Sequence, residues 1–159
     1  MTNEYVKIKN EICNGRRDIL FFPQELNMMS DEERFEIEEL IIKCCINGVN
    51  SSYKYIPYIK KANPNKIVIA DTFKKIPLES QLTIIYNLYI HNGKQEYLDF
   101  ISKVAVQNVD AYYLLTDIYV YNKRKGMNTE YIYNKLKEIA ELNSNNIEYV
   151  AMFKRKTGR

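Results

Sequence analysis

Apolar residues recur along this chain mostly at the three- and four-residue spacing of a helix stripe, and the pattern breaks at glycine, proline and asparagine. In "EYVKIKNEICNG", Tyr5, Ile8 and Ile12 fall on one stripe that stops at Gly15. The next stretch is irregular around Pro23, and Ile19, Leu20, Phe21 and Phe22 are expected to plug one end of the core. Ser30 with Glu33 forms a capping box that opens a helix running to Asn47, with Gly48 ending it. Its apolar side is read as Phe35, Leu40, Ile41, Cys44 and Cys45. A shorter helix over 52–62 contains Pro57, either as a kink or as its first turn. Ile67-Val68-Ile69 has strand propensity but sits among helical neighbours and is read as helix. Helices follow over 78–92, 95–106 and 110–125, stopped by Gly93 and Gly126 where those residues occur. Asn128 is a candidate N-cap for a helix to Leu142, and Asn145 or Asn146 for the last one.

The expectation is an all-α chain of roughly eight or nine helices, whose short links make neighbours antiparallel. No hairpin turn with alternating flanks occurs, so sheet content is expected to be near zero. Residues 1–159 are read as one helical domain, with 1–29 an N-terminal helix and irregular cap and 154–159 a basic tail. Two stretches, "IKKANPNKIVIADTF" and "EIAELNSNNIEYVAMF", align on their asparagines and share Asn63/Asn143, Asn65/Asn145, Ile67/Ile147 and Phe73/Phe153. That alignment predicts two copies of a helix–turn–helix, although their separation is not a whole number of repeats of about 34 residues.

Between Asp110 and Asn146 the chain resembles a tetratricopeptide-type helix pair. Tyr112, Leu115, Thr116 and Tyr119 match that family's spacing on the first helix, and Ile132, Leu136 and Ile139 fall where the second helix packs back. A small Thr116 lets the partner helix approach while Tyr112 and Tyr119 fill the space beside it. Ser144 stands where the family has proline, the loop "NKRKG" is longer than the family's, and Ile139 is bulky where a small residue is usual. The resemblance implies an irregular α-α superhelix, tetratricopeptide-like or HEAT-like; a compact helical bundle is the alternative.

With about 100° between successive residues, Ala111, Leu114, Leu115 and Ile118 share one face of the helix 110–125. Tyr113, Asp117, Val120 and Arg124 lie opposite, with Tyr121 at the margin. Tyrosine and valine on the side away from the core imply a covering helix or a partner. The resemblance implies that this side lines a concave groove, with Asp110, Tyr113, Asp117, Val120 and Tyr121 as contact residues and Tyr149 continuing the strip on the last helix. Exposed tyrosine and arginine are common interface anchors.

Composition changes this picture little. Apolar residues make up 46% and charged residues 27%, as in an ordinary globular chain, and the net charge of +3 is too small to demand a nucleic-acid partner. The charge is uneven: "SDEERFEIEEL" is acidic, and Glu36 and Glu39 there are candidates for meeting a basic protein surface. Basic residues cluster at Arg16-Arg17, Lys123-Arg124-Lys125 and Lys154-Arg155-Lys156, with Arg159 last; Tyr121 and Tyr133 stand near them for stacking on single-stranded bases.

Candidate chemistry is sparse. The one histidine, His91, has no motif partner, and Cys13, Cys44 and Cys45 lack paired ligand spacing, so neither a metal nor a cofactor is expected. The three cysteines read as reduced thiols of a cytoplasmic protein. The pairs Glu36/Glu39 and Asp31/Glu38 are read as exposed, solvating carboxylates rather than an acid–base pair. No apolar run is long enough for a membrane span. The sequence reading is therefore a protein-binding module and not an enzyme. It is similar in type to the small helical inhibitors and immunity proteins that block a bacterial toxin by covering it. The alternatives are an RNA-binding helical repeat and a structural adaptor.

Overall fold

The computed structural model describes residues 1–14 and 19–158, all of them helical or irregular, with no strand among them. The expected stop at Gly15 and the Arg16-Arg17 cluster lie outside the described residues, as does Arg159. The chain groups into two compact units, Met1–Gly93 and Lys94–Arg159.

The first unit contains α1 (Asn3–Cys13), α2 (Asp31–Ile46), a four-residue α3 (Lys66–Ile69) and α4 (Leu78–Asn92). Three 3-10 segments, Pro23–Met28, Asn50–Tyr58 and Asp71–Lys75, stand between them. α1 and α2 run parallel, not antiparallel: Thr2 meets Glu33, and Tyr5 and Lys9 meet Glu36. The long connection through the first 3-10 segment permits this, since only short links force a reversal. The Ser30–Glu33 capping box is present, and the Glu33 carboxylate also accepts the Thr2 N–H at 2.8 Å and its hydroxyl at 3.1 Å. Thr2 in turn caps α1 by accepting the Tyr5 N–H.

Ile19 and Phe21 are buried, whereas Leu20 and Phe22 are 64% and 75% exposed, so only half of the expected plug enters the core. Alternation of this kind is what extended backbone imposes. The Tyr55 hydroxyl holds the segment, donating toward the Ile19 and Phe21 carbonyls and accepting the Phe21 N–H at 2.8 Å, with the Phe21 and Tyr55 rings stacked at 4.1 Å. These bonds anchor a nine-residue 3-10 segment, long for that geometry, in place of the α-helix expected over 52–62. Pro57 inside it has no N–H to give an α-helical ladder.

The buried stripe of α2 also differs from expectation. Ile37, Ile41, Ile42 and Cys45 are buried together with Arg34 and Glu38, while Phe35 is 47% exposed and Leu40 and Cys44 are half-buried. Glu38, read as a solvating carboxylate, has no exposed surface. Its carboxylate accepts the backbone N–H groups of Lys60 and Lys61 and pairs with Arg34 at 3.6 Å. Arg34 donates to Asn27 Oδ1 at 2.8 Å and to the Tyr58 carbonyl at 2.9 Å, so one ion pair fixes both ends of the peptide that leaves the second 3-10 segment.

The Ile67–Ile69 run is helix, as read, but only as the end of the four-residue α3. The asparagine-aligned stretches are consequently not two copies of one motif. Asn63 precedes α3 and the short Asp71–Lys75 segment, whereas Asn143 joins two full helices. α4 matches its expected bounds, and Gly93 ends it in the left-handed region at φ 67°.

The second unit is built of α5 (Gln95–Ala105), α6 (Val109–Arg124), α7 (Glu130–Leu142) and α8 (Ile147–Thr157). Neighbours alternate in direction. Tyr112 bonds the Leu136 carbonyl while Tyr119 meets Tyr133, which sets α6 antiparallel to α7. Tyr112 also meets Tyr149, and Asp117 meets Lys156, which sets α6 parallel to α8. Likewise Tyr131 meets Asp99 and Asn143 meets Val106, so α5 and α7 run parallel. Two antiparallel hairpins thus stack side by side. Thr116 is fully buried in the α6 interface, and its hydroxyl turns back to the Tyr113 carbonyl at 2.7 Å.

Candidate functional site

The outward side of α6 carries five of the eight residues expected to make contacts. Asn108 caps the helix by accepting the Ala111 N–H, and from there Ala111, Leu115 and Ile118 are buried as the stripe requires. On the other side Asp110 and Asp117 are exposed, and Tyr113, Val120 and Tyr121 are half-buried. α8 borders this strip and ties down its polar tips. Tyr113 donates to Glu148 at 3.4 Å, and Lys156 pairs with Asp117 at 3.7 Å. At the far end Lys125 lies over the Tyr121 ring at 5.7 Å. Glu148 was not singled out from the sequence, and Lys156 was read only as part of a basic cluster. Only the parallel setting of α6 and α8 reveals that they flank the strip.

Tyr149 does not continue the strip. It is 3% exposed, its ring packs on Tyr112 at 4.8 Å, and its hydroxyl donates to the Ala105 carbonyl at 2.9 Å. Burial pushes its phenol above the ordinary range, as it does that of Tyr112. Tyr149 is a core residue, because the face of α8 that meets α6 is its apolar face.

Three carboxylates on the acidic face of α2 lie beside lysines. Glu36 accepts from Lys9 at 2.6 Å and from the Tyr5 hydroxyl, and these bonds hold its carboxyl below the usual range. Glu39 is paired with Lys66 at 2.9 Å and Asp31 with Lys61 at 3.2 Å. Each of these three carboxylates therefore has a lysine beside it, and Asp31 and Glu36 remain exposed.

Of the basic clusters, Lys123–Lys125 and Lys154–Lys156 stand at the C-terminal ends of the parallel helices α6 and α8, where they also complement the helix dipoles. Of the remaining reactive groups, His91 and Cys45 are tied into the packing of the first unit. His91 Nε2 lies 2.8 Å from the Ile59 carbonyl, so that nitrogen carries the proton and donates. The Cys45 thiol is buried, 3.2 Å from the Ser52 hydroxyl, and burial pushes it up to about 12; Cys13 is exposed and Cys44 half-buried. Among the described residues no group of three histidine, cysteine or acidic side chains is placed to hold a metal ion, and no helix is long and apolar enough to cross a membrane. Comparison of the chain with family models, curated proteins and solved structures found no match.

Proposed function

We propose that this chain is a non-catalytic module that binds another protein stoichiometrically, as a small helical inhibitor or immunity protein covers a toxin. What supports the reading is the outer side of α6: Tyr113, Val120 and Tyr121 lie half-buried between the exposed Asp110 and Asp117. Aromatic and aliphatic groups bordered by charge resemble an interface centre and its rim. The three unbridged cysteines fit a reducing compartment such as the cytoplasm. The test is capture of the partner from the native host, followed by dissociation kinetics with Tyr113→Ala and Asp117→Ala. The proposal expects faster dissociation in both variants; rates unchanged from the parent chain would remove α6 from the interface.

A second reading, binding of single-stranded nucleic acid, is favoured by one observation. The parallel setting of α6 and α8 brings Lys123–Lys125 and Lys154–Lys156 to the same end of the second unit, with Tyr121 nearby. Binding of this kind weakens steeply with salt. A flat response of oligonucleotide affinity between low and moderate ionic strength would exclude it.

A further inference from the structure

The outward faces of α5 and α7 form a different feature. The two parallel helices are tied at both ends, by Tyr131 donating to Asp99 at 2.7 Å and by Asn143 donating to the Val106 carbonyl at 3.1 Å. Between the ties they leave an open cleft of about 550 Å³. Phe100, Val106, Ile139 and Leu142 give it apolar walls, with Leu142 66% exposed at one lip.

One polar group beside this cleft has no partner. Ser102 lines it and is 7% exposed, and its buried hydroxyl makes no hydrogen bond among the described residues. A buried hydroxyl left without a partner is destabilising, and it gains when an incoming group supplies the missing bond. Two rim charges also lack ion-pair partners among the described residues: Glu96 near the start of α5 and Lys103 near its end. The other rim charges are occupied, since Lys135 pairs with Glu138 and Asp99 accepts from Tyr131 and Gln95.

We infer that the α5–α7 cleft is a docking site for a short extended segment of a partner protein, one that carries a basic residue, then a bulky apolar residue, then an acidic residue. Glu96 and Lys103 are seven residues apart on one helix, a span of about 10 Å, which extended chain covers in about three residues. The apolar side chain fills the space over Phe100 and Ile139. The Ser102 hydroxyl, both donor and acceptor, turns outward about its Cα–Cβ bond to meet a backbone amide of the segment. The order of charges sets the direction in which the segment lies. This site is separate from the α6 strip and does not depend on it.

The probe is a displayed library of random heptapeptides selected on the intact chain, with Lys103→Glu and Leu142→Glu as counter-selections. Both positions are exposed, and circular dichroism checks that each variant keeps its helix content. The expected result is enrichment of the basic–apolar–acidic order. An enriched peptide should shift backbone amide resonances of 96–106 and 135–142, lose roughly tenfold or more in affinity with Leu142→Glu, and favour the reversed charge at its acidic position when selected on Lys103→Glu. Three results would overturn the inference. They are no enrichment over the variants, shifts confined to α6 and α8, or self-association of the chain that Leu142→Glu abolishes, which would make a second copy the occupant.

Discussion

Replacing Glu38 by alanine tests the most costly polar arrangement in the first unit. The carboxylate is fully buried and does three things at once: it accepts two successive backbone N–H groups, from Lys60 and Lys61, and it faces the Arg34 guanidinium at 3.6 Å. Alanine leaves both amides without an acceptor and strands a buried cation that keeps only its bonds to Asn27 and Tyr58. Breaking a buried pair by removing one member costs about 3–5 kcal/mol, and orphaned amides act in the same direction. Against a total stability of roughly 5–15 kcal/mol that is a large fraction. For a chain of this size it lowers Tm by roughly 6–20 °C. The measurement is thermal and urea unfolding followed by helix circular dichroism, with Glu39→Ala as the control. Glu39 is a half-buried partner of the solvent-facing Lys66, and surface pairs of that kind contribute about 0–1 kcal/mol. If Glu38→Ala loses no more than Glu39→Ala, the buried network is not what holds the 58–61 peptide.

Tyr149→Phe removes the bond to the Ala105 carbonyl and costs about 1 kcal/mol in urea unfolding, while leaving partner dissociation unchanged; a binding defect without a stability loss would return Tyr149 to the interface. Burial raises Cys45, Tyr53, Tyr112 and Tyr149 above their ordinary values, so the folded chain holds protons that the unfolded chain releases. Their contribution is complete below the unfolded values of 9.0 for thiol and 10.0 for phenol and is lost as pH rises through the folded ones. Tm should accordingly fall between pH 9 and pH 11, and a flat profile there would contradict these burials. Alkylation at pH 8 should mark Cys13 first, Cys44 more slowly and Cys45 only on unfolding, read by mass spectrometry of peptides. Gly93→Ala forces a β-carbon into the left-handed region and should cost about 1 kcal/mol, although the space around it is open.

Features decided by a few neighbouring residues were legible in the sequence. The Ser30–Glu33 box, the Gly93 stop and the two-faced pattern of α6 all appear where local spacing put them. Features decided by distant backbone were not. Nothing near Glu38 shows that its carboxylate meets amides more than twenty residues on, so an acidic run read as solvating. Phe35 sits at a helical spacing that suits a core, yet Arg34 and Glu38 occupy the buried stripe because backbone groups satisfy them. Tyr149 fits an exposed strip by register alone, and only the approach of α5 and α6 buries it. Ser102 carries no signal in the sequence, and its partnerless hydroxyl shows only in the packed second unit.

The shared use of Glu33 has a dynamic consequence. One side chain serves the starts of α1 and α2 together, accepting the Ser30 N–H within α2 and both polar groups of Thr2, whose oxygen in turn receives the Tyr5 N–H. The first turns of these helices are therefore coupled: opening α2 takes the acceptor away from Thr2, and opening α1 leaves the Glu33 carboxylate with Ser30 alone. Solvent should exchange the Tyr5 and Glu33 amide protons at linked rates, as if the two distant stretches were one hinge pin.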